Sequence, residues 1–113
     1  MTYRKPVHRD ANQPAIVAAL KRAGCSIVDL AEVGGGCPDL LVGRQGWTYL
    51  IEVKNPDSKY RRALKYEEMT DDQIAFLAAW KGSKVSVVHT VEEALEVVCA
   101  TADEIRAAMG EPK

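Results

Sequence analysis

The stretch from Gly34 to Lys54, GGGCPDLLVGRQGWTYLIEVK, restricts the fold more than any other part of the chain. It holds two apolar runs of strand character, Leu40-Leu41-Val42 and Tyr49-Leu50-Ile51, with Arg44-Gln45-Gly46 as a turn signal between them. A two-residue loop at Gln45-Gly46 makes a tight hairpin in which 44 faces 47, 42 faces 49 and Asp39 faces Glu52. Side chains alternate along a strand, so Glu52 and Lys54 share a face and Val53 points away. Asp39 shares its face with Leu41, and Glu52 with Leu50. Strands apolar on both faces lie inside a sheet, where an uncompensated charge is costly. Directly opposed residues have Cβ atoms about 4.5–5.5 Å apart, so the two like charges oppose folding unless something offsets them. A divalent cation, with Lys54 helping, does so, and oxygen donors select a hard metal. The alternative is a solvated carboxylate pair at the end of an ordinary hairpin. A longer loop would shift the register by one and send the acids to opposite faces.

Pro38-Asp39, a hairpin and then Glu52-Val53-Lys54 resemble the PD-(D/E)XK nuclease signature. The wider string from Val33 to Gly43, VGGGCPDLLVG, resembles the virus-type replication-repair nuclease (VRR-Nuc) branch in its small stand-alone, phage-like form. The likeness runs from about Asp10 to about Leu95. It implies an α/β restriction-endonuclease-like core: a mixed β-sheet with a central antiparallel hairpin flanked by helices. It also implies a metal-dependent DNA endonuclease that hydrolyses phosphodiesters to a 5′-phosphate and a 3′-hydroxyl. The expected substrate is branched DNA such as Holliday junctions, and the expected assembly is a homodimer. Asp39 and Glu52 are then the ligands of Mg2+ or Mn2+, with the Val53 carbonyl as a further donor. Lys54 is expected to orient the attacking water or to stabilise the growing charge on the phosphate.

The same resemblance expects a glutamate on the first helix, about three residues before Ile16, where this chain has Gln13. Glutamine offers a carbonyl oxygen without charge. Asp10, about one turn earlier, is the alternative, and both residues serve equally well as helix caps. Gln73 occupies the place of a glutamine often found near the lysine, and it also completes the capping box Thr70-Asp71-Asp72-Gln73. The loss of charge at Gln13 motivates a second reading, a nucleic-acid-binding module of the same fold without catalysis. A third is a small domain that acts through protein partners.

With 113 residues the chain is read as one domain, with residues 1–9 as a polar arm and 100–113 as a C-terminal helix and tail. The net charge of −1 argues weakly against a nucleic-acid binder, but the distribution is uneven. Lys59, Arg61, Arg62 and Lys65, interleaved with Tyr60 and Tyr66, follow the carboxylate stretch directly and are expected to form a substrate-binding loop. Gly35 and Gly36 either let a phosphate backbone approach closely or merely connect two strands. Cys25, Cys37 and Cys99 show neither metal spacing nor a disulfide framework, which suits reduced thiols in a cytoplasmic protein of a bacterium or a phage-infected host. No stretch is apolar enough for a membrane span.

The expected order is helix, strand, strand, strand, helix, strand, helix, helix, with the last strand parallel to its neighbour through a crossover. Asn12 is expected to cap the first helix, with Pro14 in its first turn and Gly24 at its end. Thr90-Val91-Glu92-Glu93 and Thr101-Ala102-Asp103-Glu104 read as further capping boxes. Phe76 and Trp80, four apart, read as core residues rather than base-stacking ones, and His89 as exposed at the end of the last strand.

Overall fold

The computed structural model describes residues 11–55 and 69–110. The elements follow in the expected order: α1 (Gln13–Arg22), β1 (Ser26–Asp29), β2 (Leu40–Arg44), β3 (Trp47–Val53), α2 (Asp71–Ala79), β4 (Val85–Val88), α3 (Val91–Val97) and α4 (Ala102–Ala108). The strands form one four-stranded sheet in the order β1-β2-β3-β4. The first two pairings are antiparallel and the third, β3 with β4, is parallel. This is an α/β fold with a mixed sheet flanked by helices.

The hairpin takes the expected register, with Arg44 opposite Trp47 and Leu40 opposite Ile51. Gln45 and Gly46 have φ of 49° and 84°. Positive φ at both central residues is the type I′ turn, whose twist matches that of the flanking strands.

One face of the sheet carries the core. Leu40, Val42, Ile51, Val53 and Val88 pack with Ile16, Ala19 and Leu20 of α1, Ala94 and Leu95 of α3, and Ala108 of α4. Each fully buried Leu, Ile or Val contributes about 1.5–3 kcal/mol, so this layer dominates the favourable side of folding. Glu52 and Leu50 point to the other face, where the register sets them beside Val87 and Val85. There the first turn of α2 reaches Glu52 through Gln73.

Two expectations fail here. Phe76 and Trp80 are not core residues: no residue of α2 is buried, and Trp80 is 44% exposed. The apolar run from Ile74 to Ala79 is unbroken, so no polar stripe tells an inward face from an outward one. His89 is buried, not exposed. It sits where β4, α1 and α3 meet. Its N–H donates to Glu93 Oε1 at 2.6 Å, and its carbonyl accepts from Asn12 Nδ2 at 2.8 Å.

Capping boxes close reciprocally at Thr70–Gln73 and Thr101–Glu104. At Thr90 the hydroxyl accepts the Glu93 N–H, while the Glu93 carboxylate takes the N–H of His89. Asn12 stands at the N-cap position of α1 with Pro14 in the first turn, but its side chain makes no cap hydrogen bond. Its Nδ2 donates to the carbonyls of Lys54 (3.0 Å) and His89 (2.8 Å) instead. The start of α1 is thereby fixed to the ends of β3 and β4.

Candidate active site

Asp39 lies one residue before β2 and Glu52 one residue before the end of β3. The register carried one step beyond Leu40–Ile51 sets the two acids opposite each other. Asp39 is fixed from both sides. Its carbonyl accepts the Leu30 N–H at 2.8 Å, and its Oδ2 accepts the Val53 N–H at 2.8 Å. Glu52 is 4% exposed, held there by the sheet around it.

Lys54 follows one step beyond β3. Its ammonium lies 3.7 Å from Glu52 Oε1 and donates to Gln73 Oε1 at 3.0 Å. Gln73 in turn donates through Nε2 to Glu52 Oε1 at 2.7 Å. The same Gln73 oxygen accepts the Thr70 N–H at 3.0 Å, and the Gln73 N–H is capped by the Thr70 hydroxyl at 3.2 Å. The two readings of Gln73, helix cap and neighbour of the lysine, therefore hold together. The capping box fixes the amide, and the amide spans Lys54 and Glu52.

The glycine loop docks onto this turn. Gly36 has φ +80°, and a Cβ built on it would overlap the Asp72 carbonyl, so both the backbone conformation and the close approach require glycine. What Gly36 approaches here is the backbone of α2. A Cβ on Gly35 would meet nothing within 4 Å, so that side of the loop is open.

Cys37 belongs to the site, which its lack of metal spacing did not reveal. Burial pushes its thiol pKa up, and the carboxylates of Glu52 and then Asp39 push it further. A thiolate beside two negative charges is disfavoured. Glu52→Gln removes one of those charges, so Cys37 should be alkylated by iodoacetamide at pH 8 faster than in the parent. Peptide mass spectrometry follows this, with exposed Cys99 as the reference. An unchanged Cys37 rate would show that the two groups do not share a field.

Gln13 is 2% exposed, on the first turn of α1, and its Oε1 has no hydrogen-bond partner. The neighbouring Asn12 Oδ1 is likewise buried and unpartnered. Gln13 borders a cavity together with Asp29, at the end of β1. The structure thus brings together Asp39, Glu52, Val53, Lys54, Gln73 and Gly36, and sets Gln13 at the same end of the sheet through the Asn12 clamp. Lys59, Arg61, Arg62, Lys65 and Asp10 lie outside the described residues.

The donors suit a hard cation better than a soft one. Among the described residues no group of three or more His, Cys, Asp and Glu is placed to share a metal. Zinc sites ordinarily use three or four such side chains. Mg2+ needs only one or two carboxylates, with water and substrate phosphate supplying the rest.

Comparison with protein-family models, with curated proteins and with solved structures returned no match.

Proposed function

We propose that this chain is a metal-dependent endodeoxyribonuclease with a restriction-endonuclease-like core of the VRR-Nuc type. The observation that carries the reading is the meeting of three charges at one end of the two central strands. Asp39, one step beyond the Leu40–Ile51 pair, accepts the N–H of Val53, the residue after Glu52, and the Lys54 ammonium stands 3.7 Å from Glu52. A fold has no structural need to bury an acid such as Glu52 opposite a second one, and groups arranged in this way mark functional sites.

Asp39 and Glu52, with the Val53 carbonyl, would hold Mg2+ or Mn2+. When bound, such a cation polarises a phosphoryl oxygen and makes water more acidic. The chain's own groups do the rest. Gln73 holds Lys54 beside Glu52, so the ammonium is in place to stabilise charge as it develops on the phosphate. Water oxygen bonds to phosphorus, the bond to the 3′ oxygen breaks, and that oxygen takes a proton. The products are a 5′-phosphate and a 3′-hydroxyl. Gly35 and the basic stretch Lys59, Arg61, Arg62 and Lys65 would contact the DNA backbone. Branched DNA as substrate and a homodimer as the working unit extend the resemblance to this chain. A two-fold assembly would let paired sites cut symmetric strands.

One observation favours a second reading, a nucleic-acid-binding module without catalysis. Gln13 brings no charge to this end of the sheet, and its Oε1 is buried without a partner. A panel of linear, flap and four-way DNAs, each with and without Mn2+, separates the two. The nuclease gives product only with Mn2+, and most on the four-way substrate. Salt-sensitive binding with no product under any condition would leave the binding module.

A further inference from the structure

The expectation that Phe76 and Trp80 belong to the core fails, and what replaces it has the makings of a site. The two rings stack on each other on the outside of α2, with centroids 5.4 Å apart and planes 16° apart. The Trp80 indole N–H donates to the Ser83 carbonyl at 2.8 Å. The indole is thus fixed on one side by Phe76 and along its N–H edge by the following turn, yet 44% of the residue is exposed. Beside it a groove of about 600 Å³ runs between α2 and β4, lined by Leu77, Trp80, Lys84, Val85 and Val97, with Ser86 at its wall. Lys84 is the only charged residue among the described ones that line it. Lys81, in the same turn, is also exposed.

We propose that this groove is a subsite for an unpaired nucleotide of a DNA strand, the base stacking on Trp80 and the phosphate meeting Lys84 and Lys81. The inference rests on the nuclease reading and names which part of the substrate the protein holds away from the scissile phosphate. Charge selects the occupant. Lys84 in the wall and Lys81 beside it offer a positive counterpart to a phosphate, next to an aromatic face on which a base can stack. A ring already held in place loses little freedom when a base stacks on it. Position agrees. Gln73, which reaches Glu52, and Trp80 lie at the two ends of α2, seven residues apart. At 1.5 Å per residue that is about 10 Å, the span of about three stacked nucleotides at 3.4 Å each. Among branched substrates a flap or a frayed arm supplies unpaired bases next to the strand junction, whereas an intact four-way junction is fully paired.

The test uses the full chain carrying Trp47→Phe. Trp47 is 71% exposed at the hairpin end, and with only two tryptophans in the chain Trp80 becomes the sole reporter. Short single-stranded oligo-thymidine and a blunt duplex of equal length are titrated in EDTA at low salt, so catalysis plays no part. Saturable quenching of Trp80 by the single strand is expected, at least about tenfold tighter than by the duplex. Lys84→Gln should weaken the quenching and lower its salt dependence. Trp80→Leu, read by anisotropy of labelled oligo-thymidine, should bind about tenfold more weakly. DNA that binds or is cut while Trp80 fluorescence stays constant overturns the subsite and leaves the nuclease reading standing. Quenching that appears without DNA as protein concentration rises, together with a dimer on size exclusion, overturns it in favour of a self-interface. Absence of binding to single-stranded, duplex and four-way DNA alike, repeated with Ca2+ in place of EDTA, removes the nuclease reading along with the subsite.

Discussion

If the proposed nuclease activity holds, Lys54→Ala should lower Mn2+-dependent DNA cleavage by about a hundredfold to a thousandfold, the usual cost of removing one donor that stabilises transition-state charge. Asp39→Ala should lower it at least as far. The Lys54 side chain is 14% exposed and its ammonium is held by Gln73 Oε1 at 3.0 Å. It is a positioned charge, not a surface lysine in free rotation. Glu52→Gln makes the cleanest variant, because glutamine keeps the volume and an oxygen that can still accept from Gln73 Nε2. The amide also ends the repulsion with Asp39, which opposes the loss of a partner for Lys54, so the variant should unfold cooperatively with stability close to the parent's. Single-turnover cleavage of a four-way DNA, paired with urea denaturation of each variant, checks the prediction. Full activity in any of the three folded variants removes the catalytic assignment.

How far the site could be read from residues alone depends on the range of the signals. Asp39 opposite Glu52 needs only a two-residue turn, and Gln45-Gly46 specifies one locally through two positive φ values. The Thr70–Gln73 and Thr101–Glu104 boxes span four residues each and are equally legible. The parallel pairing of β3 and β4 follows from the helix between them. What escaped were side chains whose partners are remote. Asn12 reads as an ordinary cap, yet its amide bonds carbonyls 42 and 77 residues away. Arg44 reads as a turn residue, yet its partners lie 21, 54 and 60 residues away. The place of α2 was hidden for a different reason. A run apolar on every side carries no polar stripe to mark its inward face, so the assignment of Phe76 and Trp80 to the core had nothing local to correct it.

Arg44→Ala should cost about 2 kcal/mol or more, because two helix-end carbonyls lose their donor, and lower Tm by roughly 10 °C. Arg44 is the last residue of β2, at the end of the strand away from Asp39, and its side chain is 5% exposed. Its Nε donates to the Ala23 carbonyl at 3.3 Å and its Nη1 to the Val98 carbonyl at 3.1 Å. Ala23 and Val98 are the C-caps of α1 and α3. One guanidinium therefore serves the negative ends of two helices, where terminal carbonyls lack intrahelical donors. Its Nη2 meets the Glu104 carboxylate in the first turn of α4. Hydrogen bonding from the Thr101 backbone, and then from Arg44, holds the Glu104 carboxyl below the usual carboxylate range. Because the folded pKa is the lower one, the stabilisation is present above the ordinary value of 4.5 and is lost as pH falls through the folded pKa. Part of that acid-side loss should disappear in Arg44→Ala. Arg44→Lys should rescue only a fraction, since a single ammonium cannot present a planar fork to three acceptors on three helices. Urea titrations at pH 7 and at pH 4 measure both effects. The carboxylate site, about 17 Å away along a five-residue strand, should keep its cleavage rate per folded molecule. A variant that lost activity without losing stability would mean that Arg44 acts on the site and not on the helix ends.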